Sequence, residues 1–354
     1  MIKKLMGTIA ISVLLILTSC ATNSNIDNNS TNTTSPKTSG IIYPIRKDGK
    51  YGYINSQGKM VIHPQYEIAN NYKEDRALVM LNGKYGFINK KGEYIIQPKF
   101  SYLAEFSEGL ALFGTKDNKY GYINPEGKIV IDAKFNNASS FSDGAAVVQN
   151  TAKNGYIDTK GNFILQPKYL YASSFSNGLA CVVFTFLPET TGYINKQGET
   201  IIQLEKFPKD PITFAGTTFI EGLAFKRSKD GQGSLKWVLI DTKGNRVGDL
   251  YFDEVRDFNE GYASVKVGNK WGAIGKKGSF EISPQFDYLG ELSEGLIPFQ
   301  SNAKQGYVDK TGKVVIQPKY DFAMPFYEGL ASVDVGSVIG YIDKTGEFVY
   351  STNT

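Results

Sequence analysis

One short motif recurs along almost the whole chain and constrains the fold more than any other feature of the sequence. The motif reads aromatic-Gly-aromatic-Ile-Asn/Asp, and its second position is occupied in turn by Gly52, Gly86, Gly121, Gly155, Gly192, Val238, Gly272, Gly306 and Gly340. The spacings between these positions are 34, 35, 34, 37, 46, 34, 34 and 34 residues. Such a period indicates nine tandem copies of one small unit, and a unit of this size buries a core only by stacking against its neighbours.

A glycine always follows the second motif position by six residues: Gly58, Gly92, Gly127, Gly161, Gly198, Gly244, Gly278, Gly312 and Gly346. Asn-x-x-Gly or Asp-x-x-Gly between two apolar runs is typical of a type I turn closed by a G1 bulge. The Asn or Asp side chain caps such a turn, and glycine adopts the left-handed conformation without steric cost. Each copy is therefore predicted to contain a β-hairpin.

The return strand of the hairpin ends in Gln-Pro-Lys-aromatic, as at residues 97–100. Because proline has no N–H to donate, this end is predicted to lie at a sheet edge or where pairing stops. Apolar residues then follow at period three, as at Tyr320, Ala323 and Phe326. That period fits neither strand nor α-helix, so we expect a bent connection with one short turn, whose glycine begins a third strand. The sequence thus predicts three strands per repeat.

The repeats, together with abundant Tyr, Phe and Gly and few helix-forming runs, predict an all-β protein. The copies can stack as an open β-solenoid-like array or close into a propeller-like ring. The chain begins with a third-strand segment at residues 41–44 and stops soon after the ninth hairpin turn. These ends favour the open array, and a ring of eight blades is the alternative.

The first 19 residues have the features of a bacterial export signal. Lys3 and Lys4 precede an apolar stretch, residues 5–17, that is shorter than the ~20 residues a spanning helix needs. The sequence Leu-Thr-Ser-Cys at residues 17–20 then resembles a lipobox, which implies that Cys20 is acylated and becomes the new N-terminus. An ordinary signal peptide in which Cys20 is incidental is the alternative. The lipobox interpretation predicts a cell-envelope location, on the outer side of the cytoplasmic membrane or in the outer membrane.

The anchor interpretation divides the chain into three parts. Residues 1–19 are the signal peptide, and residues 20–40 are the acylated cysteine and a tether rich in Asn, Ser and Thr, which lacks the apolar residues needed to fold. Residues 41–354 form the repeat domain, with an irregular insertion around residues 207–236.

The complete repeat resembles the bacterial WG repeat, also called the KWG repeat. The resemblance rests on Tyr/Trp-Gly-aromatic-Ile-Asn/Asp, the turn glycine, the Pro-x-aromatic that follows, and Phe-x-Glu-Gly-Leu-Ala, and it covers residues 41–350. A literal Trp-Gly stands only at Trp271 and Gly272, and Tyr replaces Trp at Tyr51, Tyr85 and Tyr120. The first aromatic is absent at Asn154, Thr191, Gln305 and Ile339. The family is defined by its repeat, so the resemblance implies an architecture and no catalytic residue.

The sequence offers little for catalysis or metal binding. His63 is the only histidine, and Cys181 is the only cysteine besides Cys20. Both are interpreted as ordinary members of repeat positions, His63 as a surface polar residue and Cys181 as a small filler in a strand. Glu108, Asp143, Glu221, Glu260, Glu294 and Glu328 precede the glycine of the second turn. Turn chemistry explains these acids, and a weak calcium-binding row is the alternative.

We therefore expect no enzyme activity, no cofactor and no metal site. The net charge of +4 is spread over the repeats, which argues against a nucleic-acid partner. The sequence predicts a membrane-anchored, non-catalytic scaffold that binds protein or envelope components, with a carbohydrate- or cell-wall-binding module as the alternative. The repeat aromatics are interpreted as core. The insertion near Trp237 and residues 228–236 is interpreted as repeat drift without function, with a loop on a binding face as the alternative. No ligand-binding residue can be assigned.

Overall fold

A computed structural model describes residues 40–186, 189–205 and 216–352. These residues belong to one compact unit, Thr38–Thr354. They form strands, bridges and turns, and none of them forms a helix. It follows that no described helix has the length and hydrophobicity needed to cross a bilayer. The predicted signal peptide, Cys20 and nearly all of the predicted tether lie outside the described residues.

Nine small antiparallel sheets follow one another along the described chain, one for each repeat. Seven of them have four strands, joined in chain order as a meander. Sheet 1 contains β1 (Ile42–Lys47), β2 (Lys50–Asn55) and β3 (Met60–Tyr66). Sheet 2 contains β4 (Ile68–Ala69), β5 (Ala77–Leu81), β6 (Lys84–Ile88) and β7 (Tyr94–Phe100). Sheet 3 contains β8 (Tyr102–Ser107), β9 (Leu110–Gly114), β10 (Tyr120–Ile123) and β11 (Ile129–Phe135).

The central sheets include the least regular one. Sheet 4 contains β12 (Asn137–Ala138), β13 (Ala146–Gln149), β14 (Asn154–Ile157) and β15 (Phe163–Tyr169). Sheet 5 contains β16 (Tyr171–Ala172), β17 (Ala180–Phe186), β18 (Glu189–Ile194) and β19 (Thr200–Gln203). Sheet 6 contains only β20 (Leu223–Lys229) and β21 (Leu235–Asp241).

The last three sheets are again four-stranded. Sheet 7 contains β22 (Glu254–Val255), β23 (Tyr262–Val267), β24 (Lys270–Gly275) and β25 (Phe280–Phe286). Sheet 8 contains β26 (Tyr288–Leu289), β27 (Leu296–Ser301), β28 (Lys304–Asp309) and β29 (Val314–Tyr320). Sheet 9 contains β30 (Phe322–Ala323), β31 (Ala331–Val335), β32 (Val338–Ile342) and β33 (Phe348–Ser351). The strands of a four-stranded sheet are called first to fourth in chain order. The third strand carries the repeat motif, and the fourth is the return strand.

The predicted hairpin turns are confirmed. All nine turn glycines have positive φ, between 73° and 88°. In the first turn the Asn55 side-chain oxygen accepts hydrogen bonds from the backbone N–H groups of Gln57 (3.0 Å) and Lys59 (2.9 Å), as a capped type I turn requires. The prediction for the proline is also confirmed, because each return strand is paired on one side only and forms an edge of its sheet.

The prediction of three strands per repeat is wrong, because the bent connection begins with a short strand of its own. In sheet 2, Ile68 pairs with Met80 and Ala69 with Val79. A strand of two residues is too short to display the alternation by which strands are recognised in a sequence. The turn that follows is a tight hairpin. In sheet 8, both Glu294 and Gly295 have positive φ, 51° and 84°, as a type I′ turn requires.

The motif glycine has a separate structural role. In sheet 3, Tyr120 pairs with Phe135 and Tyr122 with Ile131, so three residues of the return strand bulge over the single residue Gly121. A Cβ atom on Gly121 would lie 2.5 Å from the Ile131 carbonyl oxygen and 2.7 Å from the Ala133 nitrogen. The motif glycine is therefore required because the return strand crosses directly over it.

Sheet 6 shows what happens when that glycine is replaced. Val238 occupies the motif position, and no return strand pairs along β21 in the described residues. Only isolated bridges remain on that side, between Trp237 and Phe252 and between Ile240 and Arg246. The valine side chain occupies the space over which the return strand of other sheets passes.

The two ends of the array are in contact. Tyr43, Ile45 and Ile54 of sheet 1 share a buried cluster with Leu330 of sheet 9. The Tyr341 hydroxyl donates a hydrogen bond of 2.8 Å to the Pro44 carbonyl oxygen. Sheets 1 and 9, which are farthest apart in the sequence, therefore share both apolar packing and a hydrogen bond.

The count of eight in the ring alternative also needs correction. The segment before the first hairpin was expected to be a fraction of a repeat, but β1 pairs with β2 and belongs to the same sheet as that hairpin. The ninth hairpin has its own first and second strands, β30 and β31. The two chain ends therefore form two separate sheets, and the described residues contain nine.

We expect Gly121→Ala to lower the free energy of unfolding by at least about 2 kcal/mol, because the added methyl group meets backbone atoms that cannot move independently. Gly231→Ala is the matched control, since a Cβ atom there meets nothing within 4 Å. Urea unfolding followed by circular dichroism measures both. Equal stability of the two variants would contradict the proposed role of the motif glycine.

Candidate interaction surface

Successive sheets are joined by hydrogen bonds between equivalent residues of their connections, the segments that lead from the first strand pairing to the second turn. In sheet 3 this segment is the second half of β8. The Ser107 hydroxyl donates to the Phe141 carbonyl oxygen (2.7 Å). The same bond runs from Ser142 to Phe175 (2.8 Å). In sheets 8 and 9, Ser293 and Phe326 form it at 2.6 Å. The connections thus form one continuous surface, which we call the connection face.

The recurring acids of the second turn extend this network, and their interpretation as turn residues is confirmed. The Glu294 carboxylate accepts the Gly329 N–H of the next sheet at 3.1 Å and pairs with Lys344 at 3.0 Å. Asp143 does the same with Gly178 (2.7 Å) and Lys196 (3.2 Å). Within the described ranges no group of acids, histidines and cysteines is arranged to hold a metal ion. The acids therefore join neighbouring sheets.

One position on the connection face varies strongly from sheet to sheet. It lies immediately before the connection aromatic, and we call it the rim position. From sheet 2 to sheet 9 it is occupied by Asn71, Glu105, Ser140, Ser174, Thr218, Asp257, Glu291 and Pro325. All eight residues are at least partly exposed. A repeat protein can present a selective binding surface when an accessible residue differs between repeats while the residues around it stay the same.

Asp257 is the rim residue with the most altered chemistry. Burial raises the pKa of its carboxyl group to about 6, and the nearby Glu291 carboxylate acts in the same direction. Asp257 and Glu291 occupy equivalent positions in adjacent sheets, so a repeat spacing brings like charges together. At neutral pH the ionised Asp257 is therefore a destabilising residue.

An arginine next to this pair is held between aromatic rings. The Arg256 guanidinium lies 5.0 Å from the ring centres of both Trp271 and Tyr288. Its Nε is buried and has no hydrogen-bond partner among the described residues. Sheet 7 thus carries Arg256 and Asp257, and sheet 8 carries Glu291 at the position of Asp257. Sheets 4 and 5 have only serines at the positions of Arg256 and Asp257.

Sheet 2 departs from the repeat in a different way. Arg76 stands where most sheets have an apolar residue after the turn, and its guanidinium lies 4.8 Å from the Phe106 ring centre. Beside it is a cavity of about 10 Å³ lined in part by Asn71 and Glu105. That volume holds at most about one water molecule, so the cavity is no pocket for a small-molecule ligand.

The residues considered for chemistry lie apart from one another. His63 is exposed on β3. Cys181 is buried on β17, and burial raises the pKa of its thiol to about 12, which suppresses the reactive thiolate. The interpretation of Cys181 as a filler is therefore confirmed. The predicted lipidation site, Cys20, lies outside the described residues.

The interpretation of the repeat aromatics as core is also confirmed. The largest fully buried side chains include Tyr43, Tyr53, Tyr66, Tyr122, Tyr156, Tyr169, Tyr193, Tyr307 and Tyr320. Near the insertion, Trp237 is half-buried and its ring lies under the Arg227 guanidinium at 4.3 Å. Residues 230–234 form one more capped hairpin turn. Residues 228–236 contain no aromatic side chain, so this described part of the insertion adds none to Trp237 for glycan binding.

Fold and repeat together define a repeat protein of small antiparallel sheets. The sequence profile of the WG containing repeat family matches residues 51–85, 85–120, 120–153, 155–184, 237–271, 271–304 and 306–337. These matches span well over half of the chain. The chain therefore belongs to the family of proteins with WG containing repeats. A search of curated proteins gives no match.

Several solved structures resemble the chain. A structure titled as a eukaryotic initiation factor is 11% identical, with a TM-score of 0.56, and the match covers 88% of this chain and 95% of that one. BamB from Moraxella catarrhalis is 13% identical over 82% and 88% of the two chains, with a TM-score of 0.40. The WD40 beta propeller domain of Doa1 is 14% identical over 67% and 93%, with a TM-score of 0.34. At such identities, the first of these likenesses concerns the fold alone.

We expect Asp257→Asn to stabilise the protein at pH 7.5 by about 1–2 kcal/mol, because the amide removes a charge that is ionised at a cost. Since the folded-state pKa of Asp257 lies above the unfolded one, the wild-type protein regains this stability as the pH falls from about 7 toward 4. The gain from the substitution should shrink over the same range.

Thermal unfolding at several pH values measures this effect. Asp132→Asn, at an exposed carboxylate on the return strand of sheet 3, is the control that removes one negative charge elsewhere. A loss of stability at pH 7.5 in Asp257→Asn would mean that the ionised carboxylate has a favourable partner.

Proposed function

We propose that this protein is a lipid-anchored lipoprotein of the cell envelope whose WG repeats form a non-catalytic scaffold for a protein or envelope component. The location rests on the sequence, in which residues 1–19 have the order of an export signal and Cys20 completes a lipobox. Acylation at Cys20 with two or three chains would hold the protein stably at a membrane, which a single chain does not. The membrane is thus one partner, and the repeats supply the surface for the other.

We further propose that the nine sheets close into a propeller-like ring. Support comes from the contacts between sheets 1 and 9, which share a buried cluster around Ile45 and Leu330. Ring closure removes the two exposed sheet faces that an open array must protect at its ends. In a ring the connections of all sheets follow one closed path, so the rim positions are presented together.

One observation carries the binding proposal. The residues shared by the repeats are used in the core, the turns and the bonds between sheets, whereas the accessible rim position differs from sheet to sheet. Serines and a threonine occupy it in sheets 4 to 6, and acids occupy it in sheets 3, 7 and 8. A surface of this kind recognises a partner through individual side chains and offers no arrangement for catalysis.

The anchor is tested by growing cells with an alkyne-labelled fatty acid and measuring the label on the purified protein. We expect the wild-type protein and Cys181→Ala to be labelled and Cys20→Ala to be unlabelled. Cys181→Ala is the matched control because it removes the other cysteine of the chain. Equal labelling of all three proteins, or of none, would contradict the assignment of Cys20.

The binding face is tested by placing a photo-crosslinking amino acid at single positions of the full chain in intact cells. Positions 140 and 174 lie on the connection face, and position 166 lies on the exposed side of a return strand as the control. We expect a discrete crosslinked species at 140 and 174 that is absent at 166. A species that forms equally at all three positions would argue against a dedicated connection face.

A further inference from the structure

We propose that Tyr43, Tyr327 and Tyr341 form a latch that closes the ring, and that the seam between sheets 9 and 1 is where the ring opens first. The inference rests on the proposed ring and adds the residues that close it. Sheet 1 lacks the first strand and the connection that sheets 2 to 5 and 7 to 9 possess within the described chain. Each of the three tyrosines replaces one contact that those elements make elsewhere.

Tyr341 replaces a backbone hydrogen bond. At the same position in sheet 1, the Tyr53 hydroxyl donates to the carbonyl oxygen of Asn70, in the connection of the next sheet, at 2.9 Å. In sheet 9 the Tyr341 hydroxyl donates instead to the Pro44 carbonyl oxygen on β1. The Pro44 carbonyl corresponds to that of Leu78, which accepts the N–H of Asn70 in sheet 2. The Tyr341 hydroxyl thus donates to a carbonyl oxygen whose equivalent in sheet 2 accepts a backbone N–H.

Tyr43 replaces the missing connection aromatic. Its position holds alanine in the other sheets, except for Ile297 in sheet 8. The Tyr43 ring lies 5.5 Å from that of Tyr341, where regular pairs such as Tyr156 and Phe175 lie 4.6 Å apart. Tyr43 is 1% exposed, and its hydroxyl donates to the Glu328 carbonyl oxygen at 2.5 Å. The ring therefore fills the space that the absent connection leaves.

Tyr327 replaces the serine that joins successive connections. Ser293, at the same position in sheet 8, reaches only the adjacent sheet. The longer Tyr327 side chain donates to the Tyr72 carbonyl oxygen of sheet 2 at 2.7 Å and so passes sheet 1 altogether. The row of bonds along the connection face is thereby continued across the seam.

The sequence just before sheet 1 departs from the repeat. An offset of one repeat places Pro36 at the position of Asn70 and Thr38 at the position of the connection aromatic. Proline has no N–H to donate.

The seam also differs from the other interfaces in its connectivity. Consecutive sheets from 1 to 9 are linked by the polypeptide, so their separation is limited even when side-chain contacts break. Sheets 9 and 1 are not consecutive in the chain, and their contacts include side-chain packing and tyrosine hydroxyls. Local opening begins at the least stable interface of a protein. We therefore expect the contacts between sheets 9 and 1 to break before those between consecutive sheets.

Hydrogen exchange of the full chain tests the latch. Tyr341→Phe removes the seam hydrogen bond and keeps the ring of the side chain, and Tyr122→Phe removes the equivalent bond to Ser139 (2.7 Å) in the middle of the array. We expect Tyr341→Phe to speed exchange in β1, β2, β31 and β32 by about fivefold, with sheets 3 to 7 unchanged. Tyr122→Phe should leave sheets 1 and 9 unchanged. Tyr43→Ala introduces the alanine that most other sheets have at this position. We nevertheless expect it to speed exchange in the same four strands.

Small-angle scattering of the wild-type protein distinguishes a failure of the latch proposal from a failure of the ring proposal. An elongated particle would overturn both proposals. A compact particle in which Tyr341→Phe exchanges like the wild type, or exchanges faster uniformly over all nine sheets, would overturn the latch and leave the ring. If Tyr43→Ala fails to fold, the comparison of Tyr341→Phe with Tyr122→Phe still decides the question.

Discussion

Six of the nine sheets depend on the next one for the packing of the buried aromatic side chain of their third strand. The motif aromatic of the third strand packs on the connection aromatic of the following sheet, with ring centres between 4.6 and 5.0 Å apart in six interfaces. In five of these the tyrosine hydroxyl also donates to a carbonyl oxygen of that next connection. A single sheet has no partner for either group, so burial of the aromatic and satisfaction of its hydroxyl require a neighbour. The array is therefore the smallest stable form of this sequence.

The motif glycine connects this packing to the architecture of each sheet. Because the return strand bulges over Gly121 and its equivalents, the motif strand remains paired on both sides while its tyrosine points toward the next sheet. Sheet 6 has Val238 at this position and no paired return strand, yet Phe225 and Phe252 still pack in a cluster shared with sheet 7. Contacts between sheets can thus survive the loss of one strand. Tolerance of this kind is expected where stability is a sum over neighbouring interfaces.

The sequence was sufficient for features that depend on neighbouring residues and insufficient for those that depend on distant ones. Turn chemistry predicted the nine hairpins, because the turn glycine and, in eight of them, an Asn or Asp act within five residues. In sheet 7 Gly275 stands at the Asn or Asp position. The first strands were missed since six of the seven have only two residues and show no periodicity. The contacts between sheets 1 and 9 were not predicted, because Tyr43 and Tyr341 are almost 300 residues apart and differ from their repeat equivalents in opposite ways. Tyr43 stands where most other sheets have alanine. Tyr341 is the aromatic residue that the repeat predicts, but its hydroxyl donates to the Pro44 carbonyl oxygen of sheet 1.

The candidate surface was only partly accessible to sequence reasoning, for the same reason. The turn acids were assigned correctly from their local context. Asp257 and Glu291 belong to different repeats, and nothing local signals that one raises the pKa of the other. Yet Asp257 stands where sheets 4 and 5 carry serine, and its ionised form costs stability at neutral pH. Beside it, the Arg256 guanidinium lies 5.0 Å from the ring centres of Trp271 and Tyr288. The part of the connection face in sheets 7 and 8 is therefore where the side chains differ most from those of sheets 4 and 5, and where the proposed partner would meet the most distinctive chemistry.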